Sequence, residues 1–321
     1  MERRYDPTLG EWRTYTAPSA SVTDDDYCRF CPTLDPQRPT DVPADSYQLA
    51  VLDDPFPPLS PDPAAPVAAP DGIHQARPAV GASEIVLYSD QHGQGLADLE
   101  ESHVGRLIDV WADRYAGLGA RDEIGYVLIF EDGAADGVSG AHPFGQVHGY
   151  PEIPPLIARE LQAAMVHQAD RGTCLFCDVT AQETVDERRQ VAANDSFLAF
   201  VPFAPRFGHE LHVYSRRHIT SLLDCTDPER LALARMLRAV VGAYRRLFSA
   251  ESPYVMSIHQ APTDDGEWLS VSHLHVEMVP LRALAATVVG AGTFISDMLP
   301  ERAAADLRAA LSGVDREAVA G

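Results

Sequence analysis

The chain has 321 residues, which is enough for two ordinary domains or one large two-layer domain. Its 47 acidic and 25 basic residues give a formal net charge of −22, and a field of that sign repels nucleic-acid phosphate, so we expect no nucleic-acid partner. The sequence has no apolar run of membrane-spanning length and no signal-peptide core, so we expect a cytoplasmic protein with no membrane partner.

Short strand-like segments alternate with two long helical ones along the chain. The strand-like segments are rich in β-branched and aromatic residues and lie at 46–52, 84–89, 125–131, 197–202, 210–215 and 254–259. Apolar residues recur at helical spacing over 99–117 and 227–248, and Asp227 followed by Pro228 is typical of a helix start with Asp as the cap. This order predicts an α+β fold with mainly antiparallel sheets.

An internal repeat organises the chain. Five blocks of the first half recur in the same order in the second, and each half ends in a strand followed by a histidine-containing turn. We therefore predict two modules, residues 1–168 and residues 169–321. The Pro/Ala-rich stretch 54–80 occurs only in the first module and is typical of a surface loop.

The first module contains the residues of a zinc site. Cys28 and Cys31 form a C-x-x-C pair, His92 follows a predicted strand, and His142 lies in the terminal turn. Two thiolates and two neutral imidazoles form a closed tetrahedral zinc site. The repeat brings the same residue types back in the second module, so we expect zinc at this first site and a second metal site further along.

Two ligand sets compete for the second site, because His273 belongs to both. The set that repeats the first site is Cys174, Cys177, His218 and His273. The other set consists of Glu160, His259, His273 and His275. The sequence leaves this choice open.

These blocks together resemble the galactose-1-phosphate uridylyltransferase family over roughly residues 3 to 312. The opening run Arg4-Tyr5-Asp6-Pro7, the first cysteine pair, the run Ser89-Asp90-Gln91-His92 and the run Ile258-His259-Gln260-Ala261-Pro262 carry the resemblance. It implies two fused histidine-triad modules, a nucleotide or sugar-phosphate substrate, and a homodimer. It also implies zinc at the first metal site and iron or zinc at the second.

One departure from the family motif concerns catalysis. The family's His-Pro-His-Gly-Gln motif carries a nucleophilic histidine in its third position, and here the run is His142-Pro143-Phe144-Gly145-Gln146. Because a phenylalanine cannot attack phosphorus, we expect altered chemistry. The resemblance also implies that Asp132, Ser139 and Gln146 contact the substrate.

Three functions remain open at this point. The first is a nucleotidyltransferase that uses direct transfer, or that uses His275 as the nucleophile with Ser270 supporting the phosphate. The alternative role of His275 is that of a metal ligand. The second function is a nucleotide hydrolase, phosphorylase or lyase-like enzyme, and the third is a non-catalytic nucleotide-binding protein.

Overall fold

The secondary structure comprises twelve strands and five helices in the part of the chain that the structure describes. The computed structural model describes residues 1–16, 28–67, 71–132, 142–248, 254–263, 266, 268–280, 293–311 and 319. The strands are β1 (Glu2–Asp6), β2 (Glu11–Tyr15), β3 (Ala50–Asp53), β4 (Ala76–Pro78), β5 (Ala82–Leu87), β6 (Tyr126–Asp132), β7 (Phe144–Tyr150), β8 (Gln190–Ala193), β9 (Phe197–Phe200), β10 (Leu211–Ser215), β11 (Tyr254–His259) and β12 (His275–Pro280). The helices are α1 (Glu101–Gly119), α2 (Pro155–Arg171), α3 (Leu175–Asp186), α4 (Asp227–Phe248) and α5 (Pro300–Ala310).

A nine-stranded antiparallel sheet forms the centre of the fold, in the order β3-β5-β7-β6-β11-β12-β10-β9-β8. Its two halves repeat one another, because β3, β5, β7 and β6 correspond to β9, β10, β12 and β11. They join where β6 pairs antiparallel with β11, with Ile129 opposite Ile258. The predicted α+β class, the antiparallel sheets and the two fused modules are confirmed. The division at residues 168 and 169 remains a prediction, and it lies inside α2.

Alternation along the strands separates the two faces of this sheet. One face packs against α1 and α4 and forms the main core. Val86, Val147 and Val276 point to that face, and Trp111 of α1 is fully buried against it. The opposite face carries polar side chains at the intervening positions, and α2 and α3 cover it in the second module. Functional side chains therefore collect on the face away from the long helices.

The two long helices begin and end close to their predicted positions. The second differs in its cap: Asp227 is the first helical residue, so Thr226 precedes the helix. The backbone N–H and the hydroxyl of Thr226 donate to Glu229 Oε2 at 2.8 and 2.9 Å. This pairing of a threonine with a glutamate three residues later satisfies the free N–H at the helix start. None of the described helices is long and apolar enough to cross a membrane.

A second, three-stranded sheet has the order β2-β1-β4. The sequence predicted a surface loop over 54–80, and the structure corrects this, because β4 lies inside that range and pairs with β1. The guanidinium of Arg77 on β4 lies 4.0 Å from the ring centroid of Trp12. Arg77 also forms an ion pair with Glu152. The ion pair joins the small sheet to the segment that follows β7, whereas the Trp12 contact lies within the small sheet.

Candidate metal centres and active-site face

The first cysteine pair meets both predicted histidines. Cys31 Sγ lies 3.6 Å from His92 Nδ1 and 3.7 Å from His142 Nδ1. With Cys28, the four donor atoms all lie within 4.8 Å of one another, a grouping that suits one tetrahedral cation. Burial and the neighbouring Cys28 raise the pKa of the Cys31 thiol to about 11, so a cation is needed to hold it as a thiolate.

Hydrogen bonds around His142 select the nitrogen that faces the thiols. His142 Nε2 lies 2.6 Å from the carbonyl oxygen of Ser89. A carbonyl can only accept, so Nε2 carries the proton and Nδ1 presents its lone pair to the cluster. The hydroxyl of Tyr47 also lies 2.8 Å from Nε2 and 2.8 Å from the carbonyl oxygen of Phe30. Such outer contacts fix the ring of a metal-ligating histidine.

The second module repeats this arrangement with His273. Cys177 Sγ lies 3.5 Å from His218 Nδ1 and 3.6 Å from His273 Nδ1, and Cys174 completes the group. His273 Nε2 lies 2.7 Å from the carbonyl oxygen of Ser215, which corresponds to Ser89 in the repeat. The structure therefore places His273 with the cysteines, and that location removes it from the competing set.

The rest of the competing set forms a third cluster with a different fourth member. His259 and His275 are cross-strand partners on β11 and β12, and their rings lie 4.7 Å apart. Glu160 reaches them from α2, with Oε2 at 3.0 Å from His259 Nδ1 and 3.8 Å from His275 Nε2. Glu277, rather than His273, takes the fourth place. Two nitrogens and two carboxylates suit zinc or iron.

A backbone carbonyl fixes the tautomer of His275, as it does for His142 and His273, but the roles of the two ring nitrogens are exchanged. Its Nδ1 lies 2.7 Å from the carbonyl oxygen of His273, so Nδ1 carries the proton and Nε2 faces Glu160. Burial holds the pKa of His275 well below its usual range, which keeps the ring neutral. A neutral imidazole nitrogen directed at a carboxylate is poised to ligate a cation.

A charged network supports Glu277 from the other side. His212 stands opposite Glu277 on β10, and its Nε2 lies 3.3 Å from Glu277 Oε1 and 3.0 Å from Glu210 Oε1. Arg206 forms ion pairs with both Glu210 and Glu277. These positive and polar neighbours hold the pKa of Glu277 below its usual range although it is buried. Glu277 is therefore a fixed carboxylate.

The position that corresponds to His275 in the first module holds Phe144, at the start of β7. Its half-buried ring packs on Phe30 at a centroid distance of 5.3 Å. Gln146 and His148 follow on the same face of the strand, and Gln146 stands opposite Ile85 in β5. Burial lowers the pKa of His148 to about 4. This face of the first module is apolar near Phe144, with an amide and a neutral imidazole beyond it.

The remaining predicted residues are more scattered. Ser270 is exposed, and its hydroxyl donates to Gln168 Oε1 at 3.3 Å, so the structure places it away from the third cluster. Ser139 and the side chain of Asp132 lie outside the described residues. Sequence reasoning missed Glu277 and His212. The repeat held the signal for Glu277, because it occupies the position of Gln146.

Comparisons with known proteins agree with this architecture. The family model of the galactose-1-phosphate uridyl transferase N-terminal domain matches residues 1–154. The family model of the C-terminal domain matches residues 160–318. Galactose-1-phosphate uridylyltransferase of Thermotoga maritima is 31% identical over 316 residues, which are 96% of this chain and 98% of the relative. The Streptomyces lividans enzyme of the same name is 28% identical, over 98% of this chain and 89% of its own.

Solved structures show the same fold. A uridylyltransferase structure superposes with a TM-score of 0.84 at 29% identity, covering 97% of this chain and 98% of its own. An ADP-glucose phosphorylase from Arabidopsis thaliana superposes with a TM-score of 0.71 at 21% identity, covering 96% of this chain and 98% of its own, and shares the fold. The fold is thus the two-module fold of a nucleotidyltransferase family, with one family domain matched to each half of the chain. The chain belongs to the galactose-1-phosphate uridylyltransferase family.

Proposed function

We propose that this protein transfers a nucleotidyl group directly between a nucleotide sugar and a sugar 1-phosphate, without a covalent intermediate on residue 144. The family assignment over both halves of the chain supports the substrate class. Phe144 carries the proposal about mechanism. Its ring has no lone pair and packs on Phe30, so this position offers an apolar surface and no nucleophile.

In a direct transfer, an oxygen of the acceptor phosphate attacks the α-phosphorus of the nucleotide sugar. The new P–O bond forms as the bond to the departing sugar phosphate breaks, so one displacement exchanges the two sugars. Positioning and charge stabilisation supply the catalysis of such a step. Gln146, two residues beyond Phe144 on the same face of β7, is our candidate for orienting a phosphate oxygen.

His275 serves as a metal ligand in this proposal rather than as the nucleophile. Its Nε2 is directed at Glu160, its side chain is 3% exposed, and His259 lies against it. A nucleophilic nitrogen would instead have to be exposed enough to reach the α-phosphorus of a bulky nucleotide sugar. The same site geometry gives no support to Ser270 as a phosphate contact, because that hydroxyl is bonded to Gln168 on the surface.

Zinc fits both cysteine clusters, and zinc or iron fits the cluster of Glu160, His259, His275 and Glu277. A closed Cys2His2 zinc site supplies a structural cross-link. In the first module that cross-link would join the Cys28–Cys31 turn to His142, two residues before Phe144. Cys28, Cys31 and His142 would thereby hold the start of β7 in place. The homodimer that the family resemblance implies remains a prediction, which sedimentation can test.

The stereochemistry at phosphorus tests this mechanism. We would supply an α-thio analogue of UDP-glucose of known configuration together with galactose 1-phosphate, and determine the configuration of the product. Direct transfer predicts inversion, because one displacement occurs. Retention, or a uridylyl adduct on the unmodified protein in intact-mass spectra, would contradict direct transfer. No exchange with any sugar 1-phosphate would contradict the transferase assignment itself.

A matched pair of variants sharpens the experiment. Phe144→His places an imidazole at the position of the family's nucleophile and should yield a uridylyl adduct that is stable at mildly alkaline pH. Phe203→His introduces the same group at a side chain that is 74% exposed, and should give no adduct.

A further inference from the structure

A small pocket lies beside the third cluster, between α2 and the ends of β11 and β12. Its cavity volume is about 10 Å³, which is room for about one water-sized group. The polar residues that line it include Glu160, His259, Gln260, Ser272 and His275. Ile157 and Phe176 provide apolar walls. The pocket is therefore a small recess whose lining is rich in polar side chains.

Three polar atoms of this lining have no hydrogen-bond partner among the described residues. They are Gln260 Nε2, Ser272 Oγ and His275 Nε2, and each side chain is at least 97% buried. An unsatisfied buried polar atom costs free energy comparable to a lost hydrogen bond, so native proteins leave few of them. Three in one pocket indicate a partner that the described residues do not supply.

The orientation of Gln260 is fixed by its surroundings. Its Oε1 accepts a hydrogen bond from the backbone N–H of Leu222 at 2.9 Å. The amide nitrogen is the atom left over, and an NH2 group can only donate. The hydroxyl of Ser272, next to His273 in sequence, adds a second donor. Two hydrogen-bond donors therefore lie beside a cluster that suits a cation. A ligand that fits both must accept hydrogen bonds.

We propose that Gln260 and Ser272 hold a small oxygen or anionic ligand, such as water or a monovalent anion, against the metal bound by the third cluster. This inference deepens the proposed function, because it rests on that metal site. Glu277, the fourth donor of that cluster, is already held by Arg206 and His212. The third cluster already has four side-chain donors, so the small ligand would be an additional one on the pocket side.

Azide binding to a cobalt-substituted protein tests this assignment. The cysteine clusters keep zinc, and one cobalt ion is loaded per chain. The absence of thiolate-to-cobalt absorption verifies that no cobalt has entered the cysteine clusters. Azide should change the visible bands of that cobalt. Ser272→Ala removes one donor, and Gln260→Glu keeps the acceptor for Leu222 while replacing the donor. Each variant should weaken azide binding about tenfold, the effect of one hydrogen bond.

Ser270→Ala is the matched control, because its hydroxyl is bonded to Gln168 outside the pocket. It should bind azide as the unmodified protein does. Failure of cobalt to bind at the third site, loaded protein that does not respond to azide, or unchanged azide affinity in both pocket variants would each overturn the inference. Nucleotidyl transfer plays no part in this readout, so azide binding without transfer would reject only the proposed function.

Discussion

The phenolic oxygen of Tyr254 lies 2.5 Å from Oε1 of Glu131, inside the core between the sheet and the long helices. The hydroxyl of Tyr88 lies 3.0 Å from the other oxygen of the same carboxyl. Both tyrosines are donors in these contacts. Even so, burial raises the pKa of Glu131 to about 7, because desolvation outweighs the two hydrogen bonds.

Glu131→Gln should remove a pH dependence of stability. A carboxyl with a folded-state pKa above its unfolded value favours folding in its protonated form, so stability is lost as pH rises from about 4.5 to about 7. We expect the unfolding free energy of the unmodified protein to fall by about 3 kcal/mol more than that of the variant between pH 4.5 and pH 8. Urea denaturation across this range measures the difference.

Glu123→Gln, at an exposed position, is the control for that experiment. It should keep the pH profile of the unmodified protein. Parallel profiles for the unmodified protein and Glu131→Gln would show that Glu131 is ionised normally in the core.

Gly145→Ala should destabilise the fold. A Cβ atom at this position would lie 2.5 Å from the hydroxyl oxygen of Tyr88, which is fully buried and bonded to Glu131. Relief of that clash requires Tyr88 to move, at a cost of about 1–3 kcal/mol. Gly117→Ala, in the exposed part of α1, meets only the end of Arg114 at 3.8 Å and should raise stability by up to about 1 kcal/mol. Chemical denaturation distinguishes the two, and equal effects would contradict the steric argument.

Loss of one cysteine should remove one zinc ion at a time. Cys31→Ser and Cys177→Ser each break a different cluster, so each should lower the zinc content by about one ion per chain. The lost cross-link should lower Tm by roughly 10 °C, which corresponds to several kcal/mol for a domain of this size. Elemental analysis and calorimetry measure the two effects.

Cys225→Ser provides the control, since Cys225 is buried away from both clusters. Its zinc content should match that of the unmodified protein. A double variant of Cys31 and Cys177 should lose about two ions, and the loss of only one would mean that the clusters are not independent sites.

Arg206→Met should weaken the fold through Glu277 and Glu210. Both carboxylates are nearly buried, and removal of their shared cation leaves them facing one another. Because Arg206 is itself a quarter exposed, we expect a loss on the order of 2 kcal/mol rather than the full cost of a buried pair. The double variant with Glu277→Gln should recover part of that loss. In a double-mutant cycle measured by denaturation, additive losses of unfolding free energy would show that Arg206 and Glu277 do not interact.

The sequence was most informative where chemistry recurs at fixed spacing. Both cysteine clusters follow from the internal repeat, since Cys28 and Cys174 begin equivalent blocks. The long helices were predictable because their apolar stripes are broad. The order of the strands in the sheet is a tertiary property that the spacing of elements does not determine.

Other features had no local signal. Strand β7 begins at Phe144 and contains two glycines, so its composition does not resemble a strand. The position of His273 depended on a competition between two clusters, and only the folded geometry brings Glu277 into the place that His273 leaves. Pairing between β1 and β4 joins residues far apart in sequence, which composition alone cannot show.

Strands β6 and β11 pair where the two modules join, so each module covers an edge strand of the other. If the chain were divided between them, each fragment would expose an unpaired strand edge, with Ile129 on one and Ile258 on the other. Such edges recruit other strands. Fragments produced together should therefore reassemble into one sheet, whereas either fragment alone should aggregate, so this fold offers a natural split-protein pair.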